Sequence, residues 1–131
     1  MADWKEVKQE AFELENWLVA LRHRLHACPE RGFEEYQTAG IIRQTLDDLG
    51  LEYHTYGTGT VVDLPGRGEA PRIALRADID ALPIQEQTGL PFASQNAGMM
   101  HACGHDTHTT MLLGAAKLMA AHPDRIPGPV R

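Results

Sequence analysis

Met100-His101-Ala102-Cys103-Gly104-His105-Asp106-Thr107-His108 is the stretch on which the reading of this chain turns. One thiol, three imidazoles and one carboxylate fall within nine residues. That density of sulfur, nitrogen and oxygen donors points to a nearby metal ion. Cys103 and His105 stand two positions apart. On a helix their side chains would diverge by about 200°; in an extended segment running into a helix they converge on one ion. A thiolate at Cys103 is also favoured by the positive end of the helix that follows. Taken alone, Cys103 reads as a small buried apolar residue, the usual state of a free cysteine. With His101, His105, Asp106 and His108 around it, the metal-ligand reading takes precedence. His108 follows His105 by three residues and shares a helix face with it. It reads as a ligand, or as a group that supports a ligand or meets substrate. His101 reads either way.

Upstream, Arg76-Ala77-Asp78-Ile79-Asp80-Ala81-Leu82-Pro83 supplies a second acidic cluster. Residues 72–77 are expected to form an inner strand, with Asp78 and Asp80 just past its carboxyl end. In open α/β sheets, ligands gather outside those ends. Two positions apart in an extended chain, both carboxylates are expected to point the same way. Asp78 by itself reads equally well as a loop aspartate capping a turn.

Residues 3–27 read as one amphipathic helix, with Val7, Ala11, Leu14, Leu18, Leu21 and Leu25 on a stripe and Pro29 with Gly32 ending it. A second helix is expected over about 35–49, with Gly50 placed as its C′ residue. Short strand-like runs follow at 51–56, 60–64 and 72–77, punctuated by Gly57-Thr58-Gly59 and Pro65-Gly66-Arg67-Gly68. Residues 78–104 read mainly as loop. A third helix is expected from near Asp106 to His122, with Met111, Leu112, Ala115, Leu118 and Met119 as its buried stripe. The tail 123–131 holds three prolines and reads as a linker opening into another strand. His23, His26, His54 and His122 read as surface or locally hydrogen-bonded residues; His26 is the least settled, because it precedes Cys28-Pro29-Glu30. The helix–strand alternation favours an α/β fold over a helical bundle.

Composition narrows the partners. At 131 residues the chain suffices for one domain with a core. Its 12 basic and 18 acidic residues leave a net charge of −6, which argues against nucleic acid as the main partner. No apolar run approaches the ~18 residues that span a membrane, and no signal peptide is visible at the start. Two cysteines, Cys28 and Cys103, are too few for a secreted disulfide framework, so a cytoplasmic location with reduced thiols is expected. The donor spacing is not that of a zinc finger. There is no His-Glu-x-x-His, no Gly-x-Ser-x-Gly elbow and no phosphate loop. The residues alone lead as far as a metal site of hydrolytic type.

Three segments extend this reading: Arg24–Glu35 (RLHACPERGFEE), Arg76–Ile84 (RADIDALPI) and Met100–Asp106 (MHACGHD). Through them the chain resembles the metal-dependent amidohydrolases of the aminoacylase and carboxypeptidase superfamily. The branch in question holds N-acyl-amino-acid amidohydrolases, hippurate hydrolases and indoleacetyl–amino-acid hydrolases. Arg31 departs from the leucine often found there, at a position on which no catalysis depends. The resemblance implies a zinc-peptidase-like catalytic domain with a mixed sheet flanked by helices. It also implies two divalent ions, zinc or manganese, with cobalt or nickel as alternatives. Cys103 and His105 would be metal ligands. Asp80 would be the catalytic-site carboxylate that orients a ligand. Asp78, His101, Asp106 and His108 would bind substrate or support the ligands. The implied substrate is a small N-acyl amino acid.

In that family a Glu-Glu pair, two further histidine ligands and a lid domain that often mediates dimerisation all lie downstream of the matching segments. Residues 1–131 are therefore read as the N-terminal portion of a catalytic domain, lid domain absent, expected to be inactive alone. Two alternatives stand beside this: a non-catalytic metal-binding or interaction module, and a plain α/β scaffold whose cysteine and histidines are packing residues.

Overall fold

A β-hairpin and four α-helices make up most of the regular structure of residues 3–131, the residues described by the computed structural model. Helix α1 (Trp4–Glu13) starts at Asp3, whose carboxylate accepts the Lys5 backbone N–H at 2.9 Å. The single helix expected over 3–27 is in fact two. At Leu14 the backbone N–H bonds Ala11 O in a tight turn, and α2 (Glu15–Ala27) begins afresh. The break separates two environments. Helix α1 buries no residue, whereas α2 buries Leu21, Leu25 and His26.

Helix α3 (Tyr36–Asp48) falls where expected. Its amino end is capped from outside: Glu30 accepts the backbone N–H groups of Gln37 and Thr38 at 3.0 and 2.7 Å. Its carboxyl end closes on Gly50, φ +68°, with Gly50 N bonded to Asp47 O and Leu51 N to Leu46 O. Those are the two bonds of a Schellman cap, and the left-handed conformation explains the glycine. Strands β1 (Tyr53–Tyr56) and β2 (Gly59–Val62) then pair antiparallel across Gly57-Thr58, with Tyr53 opposite Val62.

The expected strand at 72–77 is reduced to a short edge pairing. Val130 sits between Leu64, paired antiparallel, and Ile73, paired parallel. Leu75 N also reaches Arg131 O at 2.8 Å. The hairpin, this tail and residues 73–75 together make a mixed arrangement of extended segments flanked by helices, the α/β class expected.

Helix α4 (His105–Ala121) lies against α2. Its buried face differs from the expected stripe. Asp106, Thr109, Thr110, Leu113 and Gly114 are buried, while Met111 is 56% exposed. Polar residues take that face because their bonds are made there. Thr110 Oγ1 donates to Asp106 O at 2.7 Å and Thr109 Oγ1 to Asp78 O at 3.1 Å. Gly114 lets Leu18 approach: a Cβ there would stand 2.7 Å from Leu18 Cδ2.

The main core is Leu21, Leu25, Ile42, Leu46 and Leu113; a second cluster is Leu64, Ile126 and Val130. The tail read as a linker is thus a packed element. A 3-10 turn at Pro123–Arg125 carries Ile126 inward, and Glu10 of α1 receives His122 Nε2 at 2.7 Å and Arg125 Nη1 at 3.2 Å. No helix among the described residues is long and apolar enough to cross a membrane.

Candidate metal centre

The three sequence segments singled out above meet at one end of the molecule. Leu82 and Met100 form a reciprocal antiparallel bridge, both N–H···O distances 3.0 Å. That bridge staples the acidic segment to the Cys-His segment. Ala81 N donates to Glu30 O at 2.8 Å, which adds the first segment. Gly32 completes the junction: a Cβ there would lie 3.6 Å from Asp80 Oδ2.

At this junction His105, the first residue of α4, turns its ring onto Asp80. Nδ1 lies 2.9 Å from Asp80 Oδ1 and 3.1 Å from Asp80 O. Both partners are acceptors, so Nδ1 donates, and in the neutral imidazole the lone pair is then on Nε2. A carboxylate holding one imidazole nitrogen while the other faces outward is the arrangement that fixes a metal-ligating histidine. Gly104 precedes it with φ +83°, a left-handed conformation that sets the sharp entry into α4. Cys103 stands one residue earlier with an exposed, free thiol. The His108 ring is exposed and 6.3 Å from that of His105, as their shared helix face requires.

The other three expected site residues have different surroundings. Asp78 is exposed and paired with Arg76, whereas Asp80 holds His105, although both border one cleft. Asp106 faces the opposite way from the site and is fully buried against α2. Its Oδ2 receives Arg22 Nε at 2.9 Å and stands 2.8 Å from His26 Nδ1. His101 is buried with neither ring nitrogen bonded to a protein group, and burial pushes its pKa down, although the nearby Asp106 carboxylate opposes this.

His26 and Glu86 are the residues that sequence reasoning undervalued. His26 is 2% exposed, and its Nε2 lies 3.1 Å from Glu86 Oε1. Burial works against the Glu86 carboxylate, yet hydrogen bonds from Thr88, the Ser94 backbone N–H and His26 outweigh it and hold its pKa at about 2. The only signal available in advance was the position of His26 inside the Arg24–Glu35 segment.

Among the described residues, no group of three or more His, Cys, Asp or Glu side chains gathers closely enough to hold an ion. The donors fit a divalent metal in kind, an imidazole pinned by a carboxylate and, two residues before it in the chain, a free thiol, but they form a partial set. A cleft of about 720 Å³ opens nearby, bordered by Gly32, Glu35, Asp80, Thr109 and the apolar faces of α3 and α4; neither Cys103 nor His105 borders it.

Comparison with known proteins agrees with this geometry. Residues 74–131 match the model of the Peptidase family M20/M25/M40. N-acetyl-L-cysteine deacetylase of Bacillus subtilis is 48% identical over 90% of this chain and 29% of its own length. IAA-amino acid hydrolase ILR1-like 5 of Arabidopsis thaliana is 48% identical over 88% and 27%. The crystal structure of Bacillus subtilis YxeP, described as a dinuclear metal binding peptidase from the M20 family, superposes with a TM-score of 0.84 at 43% identity, over 94% of this chain and 34% of that one. A putative aminohydrolase from methicillin-resistant Staphylococcus aureus gives a TM-score of 0.90 at 38% identity, over 96% and 34%. The chain therefore spans about a third of the length of these relatives. Its three converging segments and its likeness to these structures point the same way: residues 74–131 match the Peptidase family M20/M25/M40, and the chain is similar to proteins of that kind over most of its length.

Proposed function

We propose that residues 1–131 are the N-terminal portion of the catalytic domain of a metal-dependent amidohydrolase that cleaves the amide bond of N-acyl amino acids. The observation that carries this reading is the pairing of Asp80 with His105 Nδ1, two residues along the chain from the exposed, free thiol of Cys103. Cys103 and His105 are the proposed ligands, and Asp80 holds His105 in its ligating tautomer. His108, exposed one turn beyond His105, is the residue we assign to substrate contact or ligand support. A bound divalent ion supplies a water activated at neutral pH and an electrophile for the scissile carbonyl. Zinc suits a thiolate with imidazole, and manganese, cobalt or nickel are alternatives. Two ions act in the complete site; the ligands offered here are too few for two, since tetrahedral zinc usually takes four.

The substrate class follows the printed names of the relatives, a deacetylase and an amino acid hydrolase. The net charge of −6 supports a small-molecule partner over nucleic acid, and nothing in the helices supports a membrane role. A cytoplasmic location and self-association through a lid domain complete the proposal. The test is release of amino acid from hippurate or N-acetylmethionine with added zinc, manganese or cobalt. A polypeptide extended to the length of the relatives is expected to turn over in a chelator-sensitive way and to lose most activity on Cys103→Ala. The 131 residues alone are expected to be inactive. Full activity of the Cys103→Ala enzyme would overturn the ligand assignment.

A second reading, a non-catalytic metal-binding module, is favoured by the absence of a third donor among the described residues. Metal binding without turnover by the extended polypeptide would select it.

A further inference from the structure

Residues 83–99 contain no helix and no strand, yet they are held along one line. That line is the last turn of α2 and the residues just after it. Gln95 N donates to Ala27 O at 2.8 Å, and Asn96 Nδ2 donates to Pro29 O at 2.9 Å. Phe92 stacks on the His23 ring at 3.6 Å with 10° between the planes, and the Arg22 guanidinium lies 5.2 Å from the Phe92 centroid. Glu86 gathers the loop onto itself, taking the Thr88 hydroxyl and the Ser94 backbone N–H.

Among the described residues, one side chain hydrogen-bonds both this loop and α4. His26 has Glu86 Oε1 on Nε2 at 3.1 Å and Asp106 Oδ2 on Nδ1 at 2.8 Å. Both partners are carboxylate oxygens, so the arrangement is satisfied when both nitrogens carry hydrogen. The Arg22 Nη2 approach to Nδ1, at 3.3 Å, is then proximity and not a hydrogen bond. The site gathers two carboxylates, the Arg22 guanidinium and the His26 imidazole; the Asp106 side chain has no exposure and those of His26 and Glu86 have 3% and 2%. Asp106 is the neighbour of His105. The loop ends at the Met100–Cys103 turn. One imidazole therefore bonds both the loop that runs into Cys103 and the first turn of α4.

We infer that His26 is a positioning residue: it sets the 83–104 loop and the first turn of α4 against Asp80, and so holds Cys103 and His105 in register. The consequence for metal binding rests on the function proposed above; the positioning itself does not. A buried salt bridge is weak evidence for stability in general. This one is distinguished by joining two segments 20 residues apart in the chain through a third, α2.

The test is made on the 131-residue chain without metal, by amide hydrogen exchange. His26→Leu is expected to speed exchange at least tenfold in residues 84–108 while leaving residues 38–46 of α3 nearly unchanged. Uniform acceleration along the chain, or no change at 84–108, would overturn the inference. Should His26→Leu not fold, Glu86→Ala cuts the loop link alone and is expected to loosen 84–96 selectively; protection equal to the parent chain would count against the role. Cobalt titration, read by the thiolate-to-cobalt band, follows on the same variants. Loss of a supporting partner typically weakens metal affinity about 10–100-fold, and that is the shift expected for His26→Leu. Leu46→Ala, which weakens the core globally, is expected to leave the affinity of the folded chain unchanged. If the parent chain gives no cobalt band, the ligand assignment falls, and the exchange data still decide the positioning role.

Discussion

The Nδ1 of His105 lies 2.9 Å from Oδ1 of Asp80, across a sequence separation of 25 residues. Neither residue's own element brings this about. Asp80 is in an irregular segment and His105 opens a helix; the Leu82–Met100 bridge between them closes the loop. The Thr109 hydroxyl on Asp78 O ties the same segment to the next turn of α4.

That relationship predicts the effect of Asp80→Ala. The His105 ring loses the partner that selects its tautomer. Affinity for cobalt should fall by about 10–100-fold. Asp80→Asn keeps an acceptor but no charge and should fall between the two. Equal cobalt affinities in the parent chain and Asp80→Ala would remove Asp80 from the site.

The two cysteines should differ sharply in reactivity. Cys103 is exposed. Cys28 is half-buried, its thiol 3.4 Å from Arg24 O, and burial followed by the nearby Glu30 charge pushes its pKa up. The thiolate is the reacting species. Iodoacetamide at pH 7.5 should modify Cys103 at least about tenfold faster, as read by peptide mass spectrometry; equal rates would contradict the placement of both thiols.

Glu86 predicts an acid-sensitive stability. Its folded pKa of about 2 lies below its ordinary value of 4.5. A depressed carboxyl contributes stability that is fully present above the unfolded value and is lost as pH falls through the folded one. Urea unfolding of the parent chain should therefore weaken between about pH 4.5 and pH 2. Glu86→Gln should be less stable at pH 7 and approach the parent at the acid end. A parallel pH dependence in both chains would exclude Glu86 as a source of acid lability.

Gly66 predicts a steric limit. A Cβ there would stand 2.1 Å from the carbonyl carbon of Gly128, while Arg67 N bonds Ile126 O at 2.7 Å. The two backbones pass in contact, and no flexible side chain can yield. Gly66→Ala should cost about 1–3 kcal/mol, the usual range for overpacking. It should also loosen the pairing of Val130 with Leu64, measured by exchange of the Leu64 and Val130 amides. Gly40→Ala, with nothing within 4 Å of the added carbon, serves as the control.

Much of the architecture was legible in local chemistry. The α3 boundaries, the Gly50 cap, the hairpin around Gly57 and the start of α4 each depend on a few neighbouring residues: a glycine that tolerates positive φ, a periodic apolar face, a turn pair. These preferences act over one or two turns of chain and are written in the order of residues. So is the donor chemistry of Cys103 and His105, because a thiol and an imidazole carry their affinity wherever they lie.

What only the tertiary structure decided is which groups meet. Asp78 and Asp80 have identical side chains two residues apart, yet one pairs with Arg76 in solvent and the other holds His105. His26 and His23 lie on the same helix, yet His26 joins two buried carboxylates while His23 stacks on Phe92. Helix α4 buries Thr109 and Thr110 in place of Met111 because their hydroxyls find acceptors on that face and methionine needs none. A side chain's residue type sets what it can bind. Its partner is set by desolvation and by contacts across many residues of sequence, as between His26 and Asp106, and those exist only once the chain has closed on itself.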